Sequence, residues 1–197
     1  LTPIGEPLST IFAAKLGGEP YYAGFFFLLK NAGVLIIPGI LFFGVLGAFL
    51  KGSSAPAVGL HESAKEKISE IFARGAKVYI FIAGLIFLGE GFKPIINKYV
   101  VELPGRSLFW INTLSSVMDN ATLTAAEISP KMSVIQLKYV LMGLLISGGM
   151  LIPGNIPNII CAGKLGIKSR DWAKFGLPVG ISVMIIYFVI FEFIIPK

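Results

Sequence analysis

Residues 145–167 read LISGGMLIPGNIPNIICAGKLGI, apolar on both flanks and broken at the centre by glycine, proline and asparagine. The flanks call for a helix in an apolar medium, and Pro153-Gly154-Asn155 and Pro157-Asn158 interrupt it. Polar, helix-breaking backbone at membrane depth is expensive unless protein or a water-filled cavity surrounds it. Transporters place their binding sites at such breaks. The segment 134–166 therefore reads as a discontinuous membrane helix, whose second half ends at Lys164-Leu165-Gly166.

The rest of the chain agrees with a bilayer as solvent. Of 197 residues, 55% are hydrophobic and 14% charged, and the mean hydropathy is +0.81. Soluble domains run to about 25% charged residues. Gly at 23 and Pro at 12 are frequent for a helical chain, as membrane helices tolerate. Segments 34–50, 78–91, 134–152 and 177–195 are the candidate spans, the second of them short unless it extends back through Phe72 or on to Ile96. No sustained alternation of apolar and polar residues suggests a β-barrel. The single Cys161, in an apolar stretch, reads as a small buried hydrophobe. The net charge of +6 sits in short loops, which suits lipid headgroups rather than nucleic acid. With one histidine and one cysteine there is no basis for a zinc or haem cofactor.

Residues 51–77 form a connector at the cytoplasmic or interfacial boundary. Ile68, Ile71 and Phe72 recur at helical spacing against Lys65, Glu66, Lys67, Glu70 and Arg74, so it reads either as an amphipathic surface helix or as a solvated linker. Residues 107–130 (SLFWINTLSSVMDNATLTAAEISP) are moderately apolar with a polar middle, the pattern of a hairpin that dips into the membrane and returns.

The start of the chain repeats the break. Residues 5–17 align without gaps to 154–166, with identities at Gly5/Gly154, Ile11/Ile160, Ala13/Ala162, Lys15/Lys164, Leu16/Leu165 and Gly17/Gly166. In each copy a Gly/Pro break leads into a half-helix, then an aromatic amphipathic stretch (21–31; 171–175), then a full span. If residues 107–130 return to the side they left, the two breaks are entered from opposite sides, which is an inverted repeat. Lys51, Lys65, Lys67, Arg74, Lys77, Lys164, Lys168, Arg170 and Lys174 then share a face, and that slight basic excess marks it as cytoplasmic. Domain organisation follows: 1–50 ends a first repeat, 51–77 connects, and 78–197 is the second repeat.

SSVMDNATLTAAEISP, followed by a span and then PGNIPNIICAGKLGI, resembles the ion transporter superfamily, as does TPIGEP at the start. That superfamily includes NhaD-type sodium/proton antiporters, the arsenite-pump membrane subunit and sodium-coupled citrate and dicarboxylate carriers. The chain is most similar to a prokaryotic family of predicted cation transporters. The resemblance implies an all-α inverted-repeat fold in which a re-entrant hairpin tip and a broken helix meet at an ion or substrate site. It places the second-repeat tip at Asp119-Asn120-Ala121-Thr122, its break at Gly154-Asn155-Ile156-Pro157-Asn158 and the first-repeat break at Thr2-Pro3-Ile4-Gly5-Glu6-Pro7. It also implies an upstream half carrying the first hairpin, so that this chain is the C-terminal part. Relatives make a homodimer the expected assembly, by analogy. Asp-Asn-Ala-Thr stands where dicarboxylate carriers have Ser-Asn-Thr, and the added carboxylate suits a cation or proton.

A carboxylate in the membrane interior usually serves an ion or proton pathway. The expected site residues are Asp119, Asn120, Thr122, Gly154, Asn155, Asn158, Thr2, Gly5 and Glu6, with Asp119, Asn120 and Thr122 as oxygen ligands for Na⁺ and Thr124 adding a neutral oxygen. Asp119 also reads as the cap of the helix that follows, and Glu6 as a helix-start acid. Glu127 either lines the pathway or lies near its exit beside Ser129-Pro130-Lys131, the latter being the expectation. Glu192 pairs with a basic residue or reaches the headgroups. The expected function is secondary transport of a cation, most simply Na⁺/H⁺ exchange, by a multi-pass protein of the inner or plasma membrane. The alternatives are a sodium-coupled carrier of a small anion and a channel or non-catalytic membrane subunit. No nucleophile motif, metal cluster or nucleotide loop suggests an enzyme. The partners implied are membrane lipid, a small cation or solute and the upstream half.

Overall fold

A computed structural model describes residues 2–4, 7–49 and 68–193. Eight α-helices account for most of the described chain: α1 (Pro7–Lys15), α2 (Phe27–Phe49), α3 (Ile68–Ile95), α4 (Gly105–Ile111), α5 (Asn120–Glu127), α6 (Val134–Gly148), α7 (Ile156–Leu165) and α8 (Ser169–Phe193). No strand occurs among the described residues. α2 and α8, at 23 and 25 residues, are long and apolar enough to cross a membrane. Only 11% of each apolar window is buried within the molecule, unlike the core helix of a soluble protein.

Local sequence sets the helix limits. Ser133 and Gln136 form a reciprocal capping box at the start of α6. Asp119 Oδ2 accepts from Thr122 N at 3.1 Å and caps α5. Gly166, at φ 64°, ends α7 in the left-handed conformation that side chains disfavour. Pro38, Pro94 and Pro178 lie inside long helices. After Pro94, which cannot donate, α3 loosens into a π turn at Ile96–Val100.

Four boundaries differ from the sequence reading: α6 ends at Gly148 rather than at 152, and three helices start earlier than expected. α2 begins at Phe27 rather than at 34, and α8 begins at Ser169 rather than at 177. The aromatic amphipathic stretch before each span is, at its end or throughout, the opening of the span helix itself. α3 starts at Ile68, so residues 68–77 are the first turns of the second span and not a separate surface helix. The remainder of the connector, 51–67, lies outside the described residues. At 28 residues, α3 is about 42 Å long, more than a hydrocarbon core needs.

α6 is the central helix, buried from Leu137 to Leu144 except at Lys138. Leu8, Phe12 and Leu16 from the α1 region, Leu28 and Ala32 of α2, and Leu108 of α4 pack with its Leu137, Val140, Leu141 and Leu144. In lipid such packing rests on close contact rather than on the hydrophobic effect. α4 runs parallel to α6: Gly105 lies on Tyr139, Phe109 on Gly143, and Ser147 Oγ donates to Asn112 O at 2.6 Å. A 3₁₀ turn (Asn112–Ser116) carries the chain to its tip at 117–119, and α5 returns.

The hairpin therefore enters and leaves at one end of α6. Gln136 Nε2 donates to Val101 O and Leu103 O, both at 2.8 Å, on the entering strand of chain. On the leaving side, Lys15 Nζ donates to Ile128 O at 3.3 Å, Ser129 Oγ to Asn97 Oδ1 at 2.8 Å, and Tyr21 OH to Met132 O. Arg106 and Tyr139 both meet Glu192 near the end of α8, at 2.5 and 3.0 Å, which answers the open question of what Glu192 pairs with. α6 has 15 residues, about 22 Å, so a hairpin laid along it stops short of a ~30 Å core.

α1 and α7 occupy matching positions of the internal alignment, Pro7–Lys15 against Ile156–Leu165. α1 ends at the hairpin base, where Lys15 reaches Ile128. The turn after α7 leads into α8 at the other end of α6, where Trp172 Nε1 donates to Gly149 O at 3.2 Å. Cys161 is exposed, correcting its reading as buried: α7 buries only Ala162, and the apolar medium around that helix is outside the chain.

Candidate functional site

The hairpin tip meets the helical break. Between α6 and α7 the chain runs through an irregular stretch with a short 3₁₀ turn at Ile152–Gly154. Gly154 sits so close that a Cβ there would lie 2.6 Å from both Gly148 O and Ser115 O. No larger residue fits between break and hairpin. Asn120, 1% exposed, turns its amide toward Gly148. Asn158 Nδ2 donates to Gly148 O at 2.8 Å and to Leu151 O at 3.1 Å. It satisfies two carbonyls that the broken helix leaves free. Gly154, Asn120 and Asn158 are thus brought together around Gly148.

Asp119 takes the capping role read from the sequence. Its Oδ2 takes the α5 cap, receiving Thr122 N and, at 3.3 Å, Thr122 Oγ1. Its Oδ1 is buried without a hydrogen-bond partner. Thr122 is committed to the carboxylate itself. Asn155 is the N-cap residue of α7 without a side-chain cap bond. Thr2 is partly exposed beside Pro3, whose carbonyl accepts Thr10 Oγ1 at 3.1 Å. Gly5 and Glu6 lie outside the described residues. Ser9, the aligned counterpart of Asn158, is buried on α1, and Ile11 of that helix packs on Ala121 and Ala125 of α5.

Behind the tip lies a group of buried polar side chains. Asn120, Thr124 and Glu127 share one face of α5 at helical spacing, and all are buried. Asn112 and Ser115 on the 3₁₀ turn and Ser147 on α6 are buried too. Thr124 Oγ1 donates to Asn120 O at 2.7 Å, and Ser115 Oγ to Leu144 O at 3.4 Å. Asn112 neighbours the Glu127 carboxyl, yet Asn112 Nδ2 and Glu127 Oε1 have no hydrogen-bond partner. Glu127, expected near an exit, is 8% exposed, and its chain neighbours Ala126 and Ile128 line a hollow at the hairpin base. Asn112, Ser115 and Ser147 were not singled out from the sequence. Their signal is a lone polar residue in an apolar helix, costly in lipid unless it is partnered.

A groove of about 990 Å³ opens between α2, α6 and α8 and is lined almost wholly by apolar side chains. It touches the site only at Ser9 and Gly149, so volume does not mark the chemistry here. Among the described residues no group of three or more His, Cys, Asp or Glu gathers. What the site offers is amide, hydroxyl and carbonyl oxygen with single carboxylates, the ligand set of a hard cation.

No curated protein and no solved structure matches the chain. One family profile does, over residues 1–194. The chain belongs to the family described as protein of unknown function (DUF1646).

Proposed function

We propose that the chain forms the core of a secondary active transporter that moves a cation across the inner or plasma membrane, most simply Na⁺ in exchange for H⁺. The observation that carries this reading is the meeting of hairpin tip and helical break, with an unpartnered oxygen of Asp119 beside buried Asn120 and Gly154. Irregular backbone and a carboxylate with a buried, unpartnered oxygen are elements of a midplane ion site. The matching residue ranges of α1 and α7, which leave toward opposite ends of α6, support an inverted repeat around it. The resemblance to ion transporters points the same way.

In this reading Asp119 Oδ1 supplies the negative charge that holds the cation, and backbone and amide oxygens complete its shell. The native full-length protein in proteoliposomes with an entrapped pH dye tests it. Added Na⁺, Li⁺ or K⁺ should drive a saturable proton flux, and Asp119→Asn should abolish it. No proton flux with any cation sinks the exchange reading. A sodium-coupled small anion is the second reading, favoured by the N-termini of both α5 and α7 pointing into the site. Sodium-driven uptake of anions would then be the outcome.

A further inference from the structure

We propose that Glu127, not Asp119, carries the proton in this exchange, so that the two carboxyl groups of the hairpin divide the work between cation and proton. The proposal rests on the exchange reading above and assigns its second ion a place.

The two acids have different surroundings. Asp119 is half spoken for: Oδ2 receives an amide and a hydroxyl of Thr122. Glu127 is held differently. It is 8% exposed, its Oε1 has no partner, and the side chain beside it is Asn112, whose Nδ2 is equally unpartnered. The one hydroxyl on its own helix face, Thr124 Oγ1, is spent on Asn120 O. A cation needs several oxygens around it, and these neighbours do not supply them. A proton needs only one. Neutralising a buried, unpartnered carboxylate by a proton removes the cost of burying its charge.

Glu127 also lies between the tip and the base of the hairpin. Toward the tip, Asn120 and Thr124 lie on its own face of α5, two turns from the cation site. Toward the base, its chain neighbours Ala126 and Ile128 line a small hollow of about 60 Å³ together with Lys15, Glu90, Lys93, Asn97 and Ser129. The charged groups on the elements around it are Lys15 of α1, Glu90 and Lys93 of α3, Lys98 after it, Arg106 of α4 and Lys138 of α6. Arg106 is engaged by Glu192, and Lys93 by Glu90 at 2.8 Å. The step is a simple acid dissociation. The carboxylate takes a proton from water that reaches the hairpin base and later returns it to water, and no other bond changes.

Infrared difference spectra of the purified full-length protein between acid and alkaline pH, with and without Glu127→Gln, read this directly. The native protein should show the carbonyl stretch of a protonated carboxyl in an apolar setting. Glu127→Gln should lack that band, and Glu127→Asp should shift it. A band unchanged in both variants overturns the proposal. In proteoliposomes, Glu127→Gln should lose cation-driven proton flux while still binding ²²Na⁺, whereas Asp119→Asn should lose ²²Na⁺ binding. Proton flux that survives Glu127→Gln also overturns it. If the native protein moves no protons but the band depends on Glu127, the exchange reading fails and the proton site stands.

Discussion

On the transport reading, Asp119 holds two roles that a substitution can separate. The cap needs an oxygen acceptor at the N-terminus of α5, which asparagine supplies nearly as well as aspartate. The ion site needs a negative charge, which asparagine lacks. Asp119→Ala should therefore lower stability by about 0.5–2 kcal/mol, and Asp119→Asn by a few tenths at most. Thermal unfolding of the detergent-solubilised protein checks both. Equal losses for the two would mean that the charge, rather than the cap, holds the tip in place. Asp119→Asn is for the same reason the cleaner variant for transport measurements, since loss of flux in it cannot be blamed on a melted hairpin.

At the scale of elements, the contact between break and hairpin depends on the absence of a side chain at Gly154. Gly154→Ala would set a methyl group 2.6 Å from two backbone oxygens, Gly148 O and Ser115 O, neither of which belongs to a flexible side chain. We expect destabilisation of about 1–3 kcal/mol from overpacking, with loss of cation binding, because the tip must retreat from the break. Unchanged ²²Na⁺ binding in Gly154→Ala would show that tip and break act apart. The break was legible in the sequence because Gly, Pro and Asn inside an apolar run have few other uses at membrane depth. The hairpin was legible for a related reason, a polar centre with no net span on either side. The starts of α2, α3 and α8 were not legible. Hydropathy marks where the medium changes, whereas a helix continues as long as its backbone ladder does, and the amphipathic turns at Ile68–Lys77 and from Ser169 onward are on the same ladder as the spans. Asn112, Ser115 and Ser147 were illegible for another reason. Their convergence depends on the parallel register of α4 along α6, and that register is set by packing between segments far apart in sequence.

For the whole molecule, the path of the chain divides its charges between two ends. Lys15, Lys93, Lys98, Arg106 and Lys131 lie at the hairpin base. Lys77 near the start of α3, and Lys164, Lys168, Arg170 and Lys174 around the α7–α8 turn, lie toward the other. If both half-helices start from the common site and leave in opposite directions, Lys131 and Lys168 are on opposite sides of the membrane. Both are exposed, so each tolerates replacement by cysteine once the exposed native thiol is removed by Cys161→Ser. A membrane-impermeant maleimide applied to intact cells should label Lys131→Cys and reach Lys168→Cys only after permeabilisation, the orientation that puts the basic α7–α8 turn in the cytoplasm. The reverse pattern would invert the orientation and leave the fold reading intact. Labelling of both from the same side would defeat the inverted repeat itself, because α1 and α7 would then leave the site in the same direction. The midplane site would lose the structural basis for alternating access, and the case for a channel or a non-transporting membrane subunit would take its place.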